Sequence, residues 1–123
     1  MTYTTVTGEK LPSGSLELID GMDLTIYHPD GPVAKIIFQD ALNRVDSLLT
    51  GPASKQDFVR AMRAYFIAMP FYRGSAAIGR IAFSALFLHL FQHTIALPAS
   101  VDTFAITATE DEYENFLAQF LGD

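Results

Sequence analysis

From Ile81 to Val101 the chain carries no formal charge. A neutral stretch of that length has two physical homes, a bilayer or a protein interior. A bilayer needs about 20 consecutive apolar residues in a helix. Here Pro98 stops the helix, and Ser84, His89, Gln92, His93 and Thr94 interrupt the apolar run, so the usable part is too short to span. The stretch therefore predicts a helix from near Ser75 to about Leu97, apolar on nearly every side and buried inside a small domain. A chain of 123 residues is one domain by length, large enough to bury a core without covalent staples.

The other elements follow from turn and cap signals. Residues 2–7, TYTTVT, are β-prone but short. SLELI (15–19) and MDLTIY (22–27) flank Asp20-Gly21, a strong hairpin signal between alternating runs. Leu16 and Leu18 then pair against Leu24 and Ile26. After HPDGP the period becomes helical. Pro32 suits a first helical turn with Asp30 as its cap, and Val33, Ile36, Ile37, Ala41, Val45, Leu48 and Leu49 recur at helical spacing until Gly51-Pro52. SKQD (54–57) resembles a capping box and opens a second stripe of Phe58, Val59, Met62, Tyr65, Phe66 and Met69, with Arg60 and Arg63 assigned to the solvent face. Pro70 ends that helix. TEDE (109–112) is a capping box with acids at the positive end of a helix dipole, and Tyr113, Phe116, Leu117, Phe120 and Leu121 face inward behind it, with Gly122 as the stop. Residues 98–108 fit a loop, a short helix capped by Ser100, or a strand. The fold class expected is mainly α: a compact bundle of four or five helices around a central apolar helix, taken to be the 75–97 helix, with an N-terminal β-hairpin. The whole of 1–123 forms a single domain, with 1–30 extended and 31–123 helical.

Composition removes several functions. There is no cysteine, so disulfides, thiolate metal sites and a cysteine nucleophile are excluded. The net charge is −6, with eight scattered Lys and Arg, which argues against nucleic-acid binding and against adhesion to anionic membranes. No basic segment precedes an apolar run at the N-terminus, so no secretory signal peptide is expected. The expected location is cytoplasmic, or delivery from a bacterial cytoplasm into another cell.

The segment MPFYRGSAAIGR (69–80) carries the most suggestive chemistry. Gly74 and Ser75 open a helix whose first backbone N–H groups lack partners. Such an end attracts anions, and Arg73 or Arg80 can add a charged fork, with Tyr65 and Tyr72 close by in sequence. Tyr72, Arg73, Gly74, Ser75 and Arg80 are the candidate ligand-binding residues. The plainer alternative makes Ser75 an N-cap and Gly74 a turn residue, with Ala76, Ala77 and Gly79 admitting a neighbouring helix. Arg80 sits in a first turn, where the dipole disfavours a cation. It therefore requires a partner: a carboxylate such as Asp57 or Asp40, a carbonyl, or a bound anion.

The same stretch resembles a degenerate Fic signature, His-Pro-Phe-x-x-Gly-Asn-Gly-Arg, in which Pro70, Phe71 and Gly74 match in spacing. The similarity covers residues 69–92, and a hairpin ahead of it is similar to the Fic flap. Met69 stands in the place of the catalytic histidine, and Ser75, Ala76 and Ala77 replace Asn, Gly and Arg, although Arg80 lies three residues on. The resemblance implies a relic of that fold that binds a nucleotide or a protein and does not transfer AMP.

His89 and His93 fall at i and i+4 of the apolar helix, a chelating spacing. Leu90 stands where the zinc-protease pattern needs glutamate, and no third ligand is evident, so no metal and no cofactor are assigned. His28 reads as a loop residue. There is no G-x-S-x-G elbow, P-loop or dinucleotide fingerprint, and no catalytic residue is assigned. The leading expectation is a non-enzymatic protein-interaction or regulatory domain of the bacterial effector, adaptor or immunity type, binding a protein partner or itself through its abundant aromatic side chains. The alternative is binding of an anion or nucleotide phosphate at the start of the third helix, as in a Fic-like nucleotidyltransferase.

Overall fold

A computed structural model describes residues 1–19, 23–69 and 74–122, and within the second hairpin the side chains of Ser15, Glu17 and Tyr27 only. Two antiparallel hairpins precede five helices. Strand β1 (Thr2–Thr4) pairs with β2 (Lys10–Pro12), Tyr3 opposite Leu11. The sequence hinted at β1 and missed its partner. The turn between them is closed by Thr5, whose carbonyl accepts from Gly8 and whose hydroxyl accepts from the Glu9 N–H at 3.0 Å. Strand β3 (Ser15–Ile19) pairs with β4 (Asp23–Tyr27) in the register expected, Leu16 opposite Ile26 and Leu18 opposite Leu24. The Asp20-Gly21 turn itself lies outside the described residues.

The helices are α1 (Gly31–Thr50), α2 (Lys55–Ala68), α3 (Ser75–Phe91), α4 (Val101–Thr107) and α5 (Glu110–Ala118). Their ends obey local rules. Pro lies in the first turn of α1, and Gly51 is its C-cap. The Ser54 hydroxyl accepts from the Asp57 N–H at the start of α2, filling one of the donors that a helix start leaves open. The Thr109 and Glu112 side chains form a full capping box on α5. α3 stops at Phe91 rather than near Leu97, because Gln92 turns left-handed at φ +62° and its N–H closes on the Leu88 carbonyl. The undecided segment 98–108 is helical as α4, with Ser100 at the cap position but no side-chain cap bond.

The bundle is mainly helical around a central helix, as expected, but the centre is α2 and not the 75–97 helix. α2 touches α1, α3, α4 and α5, and every residue from Ala61 to Ala68 is buried. Its alanines, Ala61, Ala64 and Ala68, keep the cylinder narrow where neighbours close in from the sides that a hydropathy stripe would leave to solvent. This is why Arg63, assigned to the solvent face by periodicity, is instead 4% exposed. Arg60 is only half-buried and bonds Glu114 at 2.6 Å, with Glu110 at 3.6 Å.

α3 buries one stripe, Ser75, Gly79, Phe83 and Phe87. Phe83, Phe87 and Phe91 surround the Phe58 ring with centroids 5.3 to 6.2 Å away, edge to face, the arrangement the ring quadrupoles favour. Gly79 lies directly under the Tyr65 and Phe66 rings, where a Cβ would come within 2.8 Å of Phe66 Cε1. On the other flank of α2, Tyr113 of α5 donates to the Val101 carbonyl at 2.8 Å, fixing α5 against α4. No helix among the described residues is long and apolar enough to cross a membrane.

Candidate functional site

The segment that drew attention in the sequence has mostly internal work. Tyr72 and Arg73 lie outside the described residues. Gly74 holds the cap position of α3 at φ +77°, a left-handed conformation natural to glycine. Ser75 is therefore the first helical residue rather than the N-cap, and it is buried. Its carbonyl accepts from the Tyr65 hydroxyl at 2.6 Å, which pins the start of α3 to α2. Burial pushes the Tyr65 phenol above its ordinary range. Arg80 finds its partners in two backbone carbonyls, Pro98 at 2.8 Å and Leu97 at 3.2 Å. The guanidinium thus ties the segment after α3 back onto the helix; as the sixth residue of α3, Arg80 stands in the second turn rather than the expected first.

The histidine pair does not form a chelate on one helix face. Gln92 ends α3 between the two, so His93 leaves the helix and sets its ring edge-on to Phe87 with centroids 4.9 Å apart. Among the described residues no group of three His, Asp or Glu is placed to hold a metal ion. His28 does lie in a link, between β4 and α1, where its Nδ1 is 3.2 Å from the Ile67 carbonyl near the end of α2.

Two features that periodicity did not reveal stand out. The first is a pair of buried charges on either side of Tyr3. Asp40 of α1 is buried and fully engaged. It accepts from the Tyr3 hydroxyl, from Arg44 Nε at 2.9 Å and from the Val6 N–H at 3.0 Å. Burial, then the Asp40 carboxylate, drive the Tyr3 phenol well above its ordinary range. Arg63 is the opposite case. Its Nη2 makes one long bond, 3.4 Å, to the Ala108 carbonyl, and its Nε is buried with no partner. Its guanidinium carbon lies 5.9 Å from the centre of the Tyr3 ring. No carboxylate among the described residues reaches it as an ion pair, since Glu110 and Glu114 turn to Arg60. Burial accordingly pulls the Arg63 guanidinium below its ordinary range. Arg63 lines a cavity of about 400 Å³ together with Met1, Thr2, Thr4, Ser13 and Thr107 to Asp111.

The second feature is a cleft of about 370 Å³ between α1 and α3, floored by α2. Phe38, Leu42 and Val45 form one wall, Ile78, Ala82 and Leu86 the other, with Tyr65 and Phe83 beneath and no charged residue in the lining. The apolar surface continues beyond the cleft onto Leu49 of α1 and onto Ile81 and Leu88 of α3, Ile81 being 73% exposed. No known family model, curated protein or solved structure matches the chain.

Proposed function

We propose that the chain is a non-enzymatic protein-interaction domain that associates with a second copy of itself across the α1–α3 face. The observation that carries this reading is the exposed apolar run of Leu42, Leu49, Ile78, Ile81 and Leu88 beside an uncharged cleft. Single exposed apolar residues are ordinary on soluble proteins, whereas a contiguous run bordering a concavity marks a surface that another molecule covers.

Charge argues for a second copy as that molecule. Each chain carries −6, so two chains repel wherever acidic surfaces meet. α3 carries no Asp, Glu, Lys or Arg after Arg80, so its half of the face meets a second copy without like-charge opposition, while on α1 the exposed Lys35 and Asp46, of opposite sign, flank the apolar residues. α3 supplies one wall of the cleft through Ile78, Ala82 and Leu86 and a projecting ridge through Ile81 and Leu88. An isologous dimer pairs one patch with itself, so on this reading each ridge would face the other copy's cleft.

Light scattering on the purified chain tests the reading. At tens of micromolar the mass should be twice 13.5 kDa. Ile81→Glu and Leu42→Glu should each return it to a monomer with an unchanged far-UV circular dichroism spectrum. A monomer at every concentration up to several hundred micromolar, or a dimer indifferent to both substitutions, overturns it.

A further inference from the structure

We infer that the cavity over Arg63 is a binding site for a small zwitterion of the amino-acid type, its carboxylate held by Arg63 and its ammonium group by the acids at the cavity mouth. The site is remote from the α1–α3 face in its residues and does not depend on the dimer.

The inference starts from an imbalance. A guanidinium that is 4% exposed has lost most of its hydration, and burying a charge is tolerated only where hydrogen bonds and a counter-charge replace the water. Asp40, only 7% exposed, shows what such compensation looks like in this protein, with two side-chain donors and one backbone donor on its two oxygens. Arg63 has one long bond from Nη2 and an unpartnered Nε. A guanidinium grips a carboxylate through parallel N–H bonds from two of its nitrogens, and here Nε is closed off and Nη2 turns to Ala108. The side chain lines a cavity of about 400 Å³, within the range of small-ligand sites, where an incoming carboxylate would supply the counter-charge that the protein does not.

The rest of the lining selects among anions. Thr2, Thr4, Ser13 and Thr107 offer hydroxyl-bearing side chains around the cavity. Glu110 and Asp111 also line it, and Asp111 is exposed whereas Arg63 is not. The charge therefore runs from a buried cation to an acidic mouth. A phosphate dianion would gain at Arg63 and be repelled at the mouth. A simple carboxylate would meet the same opposition in smaller measure. A carboxylate that carries its own ammonium group satisfies both ends.

Thermal-shift and calorimetric titrations of the full chain against the twenty free amino acids, acetate and inorganic phosphate decide the matter. At about 100 times its dissociation constant a ligand adds a stabilisation readily seen as a rise in Tm of several degrees. The expected result is such a rise for at least one amino acid, a smaller rise for acetate and none for phosphate. Arg63→Met should abolish the amino-acid response. Asp111→Asn, at an exposed position that leaves the core untouched, should reduce the amino-acid response toward that of acetate, measured as the shift from the variant's own unliganded Tm, which drops slightly with the loss of one charge at the start of α5. No response to any amino acid overturns the inference. A response to phosphate or acetate equal to that of the best amino acid also overturns it, as does an amino-acid response that survives Asp111→Asn at full strength. Should Arg63→Met fail to fold, the Asp111→Asn comparison still decides.

Discussion

α2 and α3 lie against each other and divide the labour of the fold in the reverse of their hydropathies. α3 is by far the more apolar sequence, uncharged from Ile81 onward, yet it buries a single stripe and leaves Ile78, Ile81 and Leu88 in the open. α2 contains Lys55, Asp57, Arg60 and Arg63, yet from Ala61 to Ala68 nothing on it is exposed. Burial is set by how many neighbours an element has, and α2 has four helices around it. An element's own hydropathy records only what it tolerates. An apolar surplus on a helix with one neighbour is surface available to another molecule, and a charge on a helix with four neighbours is a charge held away from water.

The largest effect expected from that difference lies on the pH axis. Tyr65 of α2, and Tyr3 and Tyr113 on its other flank, are all pushed above the ordinary phenol range of about 10, each mainly by burial. A phenol whose folded pKa is raised contributes stability that is complete below its unfolded pKa and is lost as pH rises through the folded value. Stability should therefore fall steeply above about pH 10, with the tyrosinate absorbance of these three residues and loss of helical circular dichroism appearing together. Because α3 carries no tyrosine, tyrosinate formation beyond what Tyr27, which is exposed, and Tyr72 can supply, well before the loss of helix, would break the picture of α2 as the closed centre.

Substitution sharpens the comparison further. Phe58→Ala in α2 removes a ring packed against Phe83, Phe87 and Phe91 and should cost about 3–5 kcal/mol in denaturant unfolding. Gly79→Ala tests a place where α3 is as tightly held as α2. Its Cβ would press on the Tyr65 and Phe66 rings, and the overpacking should cost about 1–3 kcal/mol despite alanine's better helix propensity. A stabilised Gly79→Ala variant would show that the α2–α3 seam opens easily. The smallest effect belongs to Ile81→Asn on the exposed side of α3, which should change the stability of the monomer by no more than about 0.5 kcal/mol. A loss of several kcal/mol there, measured on the monomer, would mean that Ile81 is covered within the chain.

Local signals in the sequence located most of the helix ends. Pro32 and Gly51 bracket α1, Ser54 caps α2, and Thr109 with Glu112 opens α5, because capping is an exchange between residues three apart and needs nothing from the rest of the chain. The β3–β4 register was legible for the same reason, since a short hairpin pairs neighbours in sequence. The end of α3 was not legible. Gln92 adopts a left-handed conformation that no glycine announces. β2 escaped notice because three residues, Lys10–Pro12, are too few to display a period.

The candidate sites divide along the same line. Arg80 was expected in a first helical turn and in need of a partner; it lies in the second turn of α3, and the structure supplies two carbonyls. The buried state of Arg63 had no such signal. It stands one turn from Arg60 on a helix whose obvious stripe faces elsewhere, and the two look alike in sequence. Arg60 lies beside Glu114 and Glu110, while Arg63 lies under Tyr3 and the Ala108 carbonyl. Those neighbours come from residues 45 or more positions away in the chain, on both sides of it. By itself the sequence determined that this chain is a mainly helical bundle with an N-terminal hairpin, because period, cap and turn chemistry act over a few residues. Only the tertiary structure decided which helix is enclosed, which apolar face is left over and which arginine is cut off from water, because those are properties of the company an element keeps.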